Sequence, residues 1–111
     1  MVNFWTDWDH THIEMAPFFA LLAADYGEPG ILTFARAYAD DMRDLALRYC
    51  KWDGKQSFVA FKNGKQFAIN GVSVIGAQQK ALKAAAKKLG GLAKQRLAER
   101  QQALGPRLDT T

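Results

Sequence analysis

The chain has 111 residues, 49% hydrophobic and 23% charged, with a formal net charge of +4 at pH 7. That length suits one soluble globular domain with a modest core. Its apolar runs fall far short of the ~20 residues of a membrane span, and a single cysteine, Cys50, excludes an internal disulfide.

Val2 to Trp5 reads as a short apolar strand. Residues 12–26 carry Met15, Phe18, Phe19, Leu22 and Ala23 at helical spacing, and Gly27-Glu28-Pro29-Gly30 stops that helix. Ile31 to Tyr38 reads as a second strand. Residues 41–50 form a second helix with Met42, Leu45, Ala46 and Tyr49 on one side. Ser57 to Phe61 is a strand, Asn63-Gly64 is a dipeptide that two-residue hairpin turns favour, and a partner strand runs from Lys65 to Ile69. Asn70-Gly71 predicts a further turn into Val72–Ile75. Gly76 then precedes an Ala/Lys-rich helix over 77–89. Beyond Gly90-Gly91 lies an extra helical segment, Leu92 to Leu104, ended by Gly105-Pro106. The order is β-α-β-α-β-β-α, an α/β domain over 1–90 followed by a basic helical extension over 91–111.

Charge is unevenly spread. Residues 1–50 hold three arginines against eight Asp and Glu, a net of −5, which leaves +9 for residues 51–111. Such asymmetry can mark an acidic partner or nucleic acid, but a solvated helix face explains it as well. Lys80, Lys83, Lys87, Lys88, Lys94, Arg96 and Arg100 lack the interleaved aromatics of single-strand binders. A nucleic-acid accessory role is therefore the weakest reading. A loose apolar stripe, Leu89, Leu92, Ala93, Leu97 and Leu104, favours a helix that docks on its own domain or on a partner.

The segment Phe4-Trp5-Thr6-Asp7-Trp8-Asp9-His10-Thr11-His12, with Ala16-Pro17 a turn later, resembles the active-site segment of the thioredoxin family with both cysteines replaced. The likeness continues through Ala23-Ala24-Asp25-Tyr26, Leu45-Ala46-Leu47-Arg48-Tyr49, Phe61-Lys62-Asn63-Gly64-Lys65 and Ala81 to Leu89. It covers most of residues 2–89. It implies a minimal thioredoxin-like fold with a central four-stranded mixed sheet, and an insertion of four or five residues near 70–75. Where the family has Cys-Gly-Pro-Cys, this chain has Asp9-His10-Thr11-His12. Thiol–disulfide exchange needs an attacking thiolate and a resolving sulfur, and neither stands there. The family's buried proton-accepting Asp is Asn3 here, and its cis-proline falls on Gln56, so a trans bond is expected.

Each chemical feature has a plainer explanation beside it. Asp9 can simply cap the helix. His10 and His12 invite a metal, yet no further histidine completes a ligand set, so no metal and no cofactor is expected. Asp9 and His12, with Asp7 as a further candidate, can form an acid–base pair beside Trp5 and Trp8, the alternative in which the chain is a small non-redox enzyme. Trp5 is expected in the core and Trp8 on the surface, where exposed Trp favours an interface. Trp52 either joins that rim or covers a small satellite core. Cys50 is expected to be a buried structural thiol.

The reading is a redox-inactive thioredoxin-like domain, more a binding module than an enzyme. Its expected binding face is Trp8, Asp9, His10, Thr11, His12, Trp52, Gln56 and Ser57, taking a protein or peptide partner. A homodimer through the edge strand 31–38 is a further expectation. Met1-Val2-Asn3-Phe4 lacks the basic and apolar regions of a secretory signal, so no membrane partner and a cytoplasmic location inside the cell are expected.

Overall fold

A computed structural model describes the chain apart from residues 50–53, 68–70, 72 and 110–111, with the backbone alone at 49 and 105–109. The elements are β1 (Val2–Trp5), α1 (His12–Tyr26), β2 (Ala35–Tyr38), a 3-10 turn (Ala39–Asp41), α2 (Arg43–Tyr49), β3 (Ser57–Val59), β4 (Phe61–Lys62), β5 (Lys65–Gln66), β6 (Val74–Ile75) and α3 (Gln79–Asp109).

The central sheet has four strands in the order β2-β1-β3-β6. β1 pairs parallel with β2, Asn3 opposite Arg36 and Trp5 opposite Tyr38. It pairs antiparallel with β3, Asn3 opposite Phe58. The sheet is therefore mixed, as the resemblance implies. Side chains alternate across a strand, and two clusters result. Met15, Phe19 and Leu22 of α1 and Leu82, Ala85, Ala86 and Leu89 of α3 pack with Phe58 and Val74 on one face. Phe4, Val59, Ala39 and Ala46 form a smaller cluster on the other.

The second strand is shorter than the sequence predicts. Residues 31–34 are not in the sheet, and Leu32 instead bridges back to Glu28. The turn at Asn63-Gly64 forms as expected, with both residues at positive φ (54° and 78°), which matches a two-residue hairpin loop. Phe61 faces Gln66 across that hairpin, and Phe67 N–H still bonds the Ala60 carbonyl at 2.8 Å. Two strands on, Phe58 faces Val74, five residues further along than the hairpin register at Phe61–Gln66 would place its partner. That jump divides one long hairpin into short pieces. The expected turn at Asn70 lies outside the described residues.

Two helices differ from expectation. α2 buries only Ala46 among its described side chains; Leu45, and Met42 just before the helix, are each 43% exposed. α3 is one helix of 31 residues, unbroken at Gly90-Gly91 and not ended by Gly105-Pro106. Helix propensity disfavours glycine, but Gly90 has a packing role. A Cβ there would lie 3.0 Å from Cδ1 of Tyr26. Its absence lets α3 close on the end of α1.

Candidate functional site

The loop from β1 to α1 is shaped by short polar side chains. Thr6 is buried; its hydroxyl donates to Asp40 Oδ1 at 3.4 Å and accepts the Trp8 N–H at 3.4 Å. Trp8, held by its backbone, carries a side chain that is 80% exposed. Asp9 follows, and its Oδ1 accepts both the N–H of Thr11, at 3.1 Å, and the Thr11 hydroxyl. The helix cap is Thr11, not Asp9, and no side chain bonds the first turn as a cap. Asp9 stands two residues earlier and braces the turn, so its expected capping role is corrected in this respect.

The second carboxylate oxygen reaches across the sheet. Asp9 Oδ2 accepts the backbone N–H of Gln56 at 2.8 Å. Gln56 and Asn3 are both fully buried. The Gln56 amide donates to Thr11 Oγ1 at 2.9 Å, and its Oε1 accepts from Asn3 Nδ2 at 3.4 Å. Asn3 also donates to the Ser57 carbonyl at 3.1 Å and accepts from Arg36 Nε at 3.3 Å. The result is a continuous polar chain, Arg36–Asn3–Gln56–Thr11–Asp9, closed by the Gln56 N–H. Such a network is stable when each buried member finds a partner. The described peptide bonds are all trans, including the one before Gln56.

Burial of Asp9 by itself raises its carboxyl pKa. The bonds from the Thr11 hydroxyl and from the Gln56 and Thr11 N–H groups, with the charge of His12, outweigh burial and hold the pKa below its ordinary value. Asp9 is thus an occupied carboxylate, already accepting three bonds.

A second cluster lies beside it on the same sheet face. Trp5 is half-buried, not core. Its ring lies 5.0 Å from that of His12 and 4.7 Å from that of Tyr38, and the Arg36 guanidinium sits 4.7 Å from its centroid. Asp7 joins from the loop: its Oδ2 accepts the Tyr38 hydroxyl at 2.7 Å and its Oδ1 is 3.9 Å from His12 Nε2. The bond to Asp7, with the Asp40 carboxylate close by, pushes the Tyr38 pKa up. Arg36 and Tyr38 enter because the parallel register of β2 sets them opposite Asn3 and Trp5.

The structure thus joins Asp9, Thr11 and Gln56 directly and holds Ser57, itself buried, by its carbonyl. His10 is exposed. The acid nearest His12 by ion-pair contact is Asp7. Trp52 and Cys50 lie outside the described residues. Among the described residues, no group of three or more His, Cys, Asp and Glu side chains is placed to hold a metal ion. Arg36, Tyr38 and Thr6 were not singled out by their sequence; only the pairing of distant strands and loops shows them.

Over 99 residues the chain is 40% identical to a "Thioredoxin-like protein" of Fusarium culmorum, an alignment spanning 88% of this chain and 81% of that one. It is 37% identical over 99 residues to a "Thioredoxin" of Neurospora crassa, spanning 88% and 77%. No family model matches the chain, and no solved structure matches it. At this identity and coverage the chain belongs to the thioredoxin-like family, in keeping with its mixed sheet and flanking helices.

Proposed function

We propose that the chain is a redox-inactive thioredoxin-like module that binds a protein or peptide partner on the face formed by Trp8 and Asp9–His12 over Gln56 and Ser57 at the start of β3. The observation that carries this reading is the pair Asp9–Gln56. The position equivalent to the family's attacking sulfur holds a carboxylate whose oxygens are taken up by Thr11 and Gln56. A carboxylate so engaged is a poor nucleophile and a poor base, which disfavours the alternative enzyme built on Asp9 and His12. Trp8, 80% exposed beside this rigid network, supplies the apolar anchor, and exposed His10 the polar edge. Gln56 and Ser57 act from below, by holding the face in shape. No cofactor is required for such binding.

The name of the Neurospora relative points to redox chemistry for that protein, so the first test is enzymatic. Reduction of insulin by dithiothreitol should not be accelerated by this protein. Acceleration that Cys50→Ser abolishes would overturn the redox-inactive reading. The binding half is tested by capture of partners from the native extract, identified by mass spectrometry; Trp8→Ala should lose them while Leu47→Ala keeps them.

The remaining expectations fit this reading. Residues 1–90 form the thioredoxin-like unit and 91–111 its helical extension, although α3 runs through both. Among the described residues no helix is long and apolar enough to cross a membrane. A cytoplasmic setting suits a chain with one cysteine. β2 is a sheet edge, and a second copy pairing there is a proposal that sedimentation tests; the charge of Arg36 and the four-residue length of β2 work against it.

A further inference from the structure

α1 and β3 both begin at the site and run away from it, and a second feature lies at their far end. A groove of about 700 Å³ opens between the later half of α3, the β4–β5 hairpin and the loop after α1. Its apolar lining includes Leu32, Phe67, Leu92 and Ala93. Leu92 is 39% exposed. The charged lining is Lys62, Arg96 and Arg100 against Glu99 alone. Among the described residues, none of those three cations has a carboxylate within ion-pair distance. Lys62 instead holds its ammonium 5.6 Å from the Phe67 ring centroid.

We propose that this groove docks an acidic amphipathic helix of a partner protein. Leu89, Leu92, Ala93, Arg96 and Arg100 follow one another at helical spacing on the wall of α3. A helix laid along that wall would set its apolar ridge against Leu92 and Phe67 and its acidic flank against the arginines and Lys62. Unpaired cations around an apolar floor select an acidic partner over a basic one and raise its association rate. This surface is separate from the Trp8 face and does not rest on the function proposed for it.

The test uses the full chain and a labelled synthetic peptide of about 18 residues, or five turns, with leucine on one face and glutamate elsewhere. Fluorescence anisotropy at low salt should show saturable binding. The double change Arg96→Glu, Arg100→Glu should weaken it tenfold or more, as should Leu92→Asp; all these side chains are exposed, and circular dichroism should show each variant folded. The same peptide with lysine for glutamate should bind at least tenfold more weakly. Amide shifts in NMR should centre on Leu32, Phe67 and Leu92. Failure to saturate, equal binding of both peptides, indifference to the charge reversals, or shifts centred on Thr11 and Gln56 would each overturn the proposal. So would sedimentation showing self-association that Leu92→Asp removes, since the groove would then serve a second copy. Tighter binding of a mixed-sequence single-stranded oligonucleotide through the same arginines would reassign it to nucleic acid.

Discussion

The Asp9 carboxylate accepts the backbone N–H of Gln56 at 2.8 Å, linking residues 47 apart in the chain. A proline has no N–H to give. The carboxylate at Asp9 and the non-proline at Gln56 therefore complement each other: one supplies the acceptor, the other the donor that the family's proline lacks. The Gln56 side chain then ties the same turn to Asn3 and Thr11.

Removing the acceptor should leave a buried donor without a partner. Asp9→Ala is expected to lower stability by about 1–3 kcal/mol, the range for an unsatisfied buried group. In a Gln56→Pro background the donor is already gone, and the same change should cost less, with a coupling of about 0.5–3 kcal/mol. Urea unfolding of the four proteins measures this. Should Gln56→Pro not fold, Asp9→Ala against Asp9→Asn still reports on the acceptor. A loss below about 0.5 kcal/mol for Asp9→Ala, the level of an ordinary surface change, would contradict the link.

Acid should weaken the same contact. The Asp9 pKa is depressed in the folded chain, so its contribution to stability is complete above the ordinary aspartate value of 3.8 and disappears as pH falls through the lower folded value. The stability difference between the wild type and Asp9→Asn should be constant from neutral pH down to about pH 5, more than a unit above that ordinary value, and shrink below it. A difference that instead grows on acidification would mean a raised pKa and a different environment.

The neighbouring glycines of α3 should respond with opposite sign. Nothing lies within 4 Å of a Cβ built on Gly91, whereas one on Gly90 meets Tyr26 at 3.0 Å. Gly91→Ala is expected to stabilise by about 0.8–1 kcal/mol through helix propensity. Gly90→Val is expected to destabilise by about 1–3 kcal/mol, as overpacking does. Denaturant midpoints of the two variants suffice, and equal effects would show that α3 does not close on Tyr26.

Tyr38 offers a spectroscopic reading of the second cluster. Its hydroxyl donates to Asp7, which raises its pKa. Asp7→Asn should return one tyrosine's ionisation toward the ordinary range, seen as earlier growth of phenolate absorbance in an alkaline titration. Superimposable curves would remove Asp7 from that contact.

The parts visible in the sequence are those that local physics decides. The stripe Met15, Phe19, Leu22 and the stop at Gly27 mark α1 with its observed bounds. Asn63-Gly64 marks its turn. Counting back from Phe61-Lys62-Asn63-Gly64 reaches Gln56 as the site position, but not its bond to Asp9, which depends on two distant segments meeting. Gly90 misleads for a similar reason. Propensity treats it as a helix breaker, and only the nearness of Tyr26 explains it. Trp5 looks like core because it ends an apolar strand; the parallel register with Tyr38 turns it into the centre of a half-exposed stack.

The pairing of β1 also bears on how the protein comes together during synthesis. This central strand, residues 2–5, has its parallel partner at 35–38 and its antiparallel partner at 57–59. Its parallel neighbour follows it first, but its antiparallel neighbour comes only after residues 39–56 have been added as well. The next strand outward, at 74–75, and the helix that covers it arrive later still. Local helices such as α1 can form first, but the sheet must wait for its distant strands, which is the behaviour of a slow, nonlocal topology. The edge of residues 2–5 that faces 57–59 thus stays open to improper partners until those residues are made, and a nascent chain stalled before residue 57 is the species to examine for aggregation or chaperone capture.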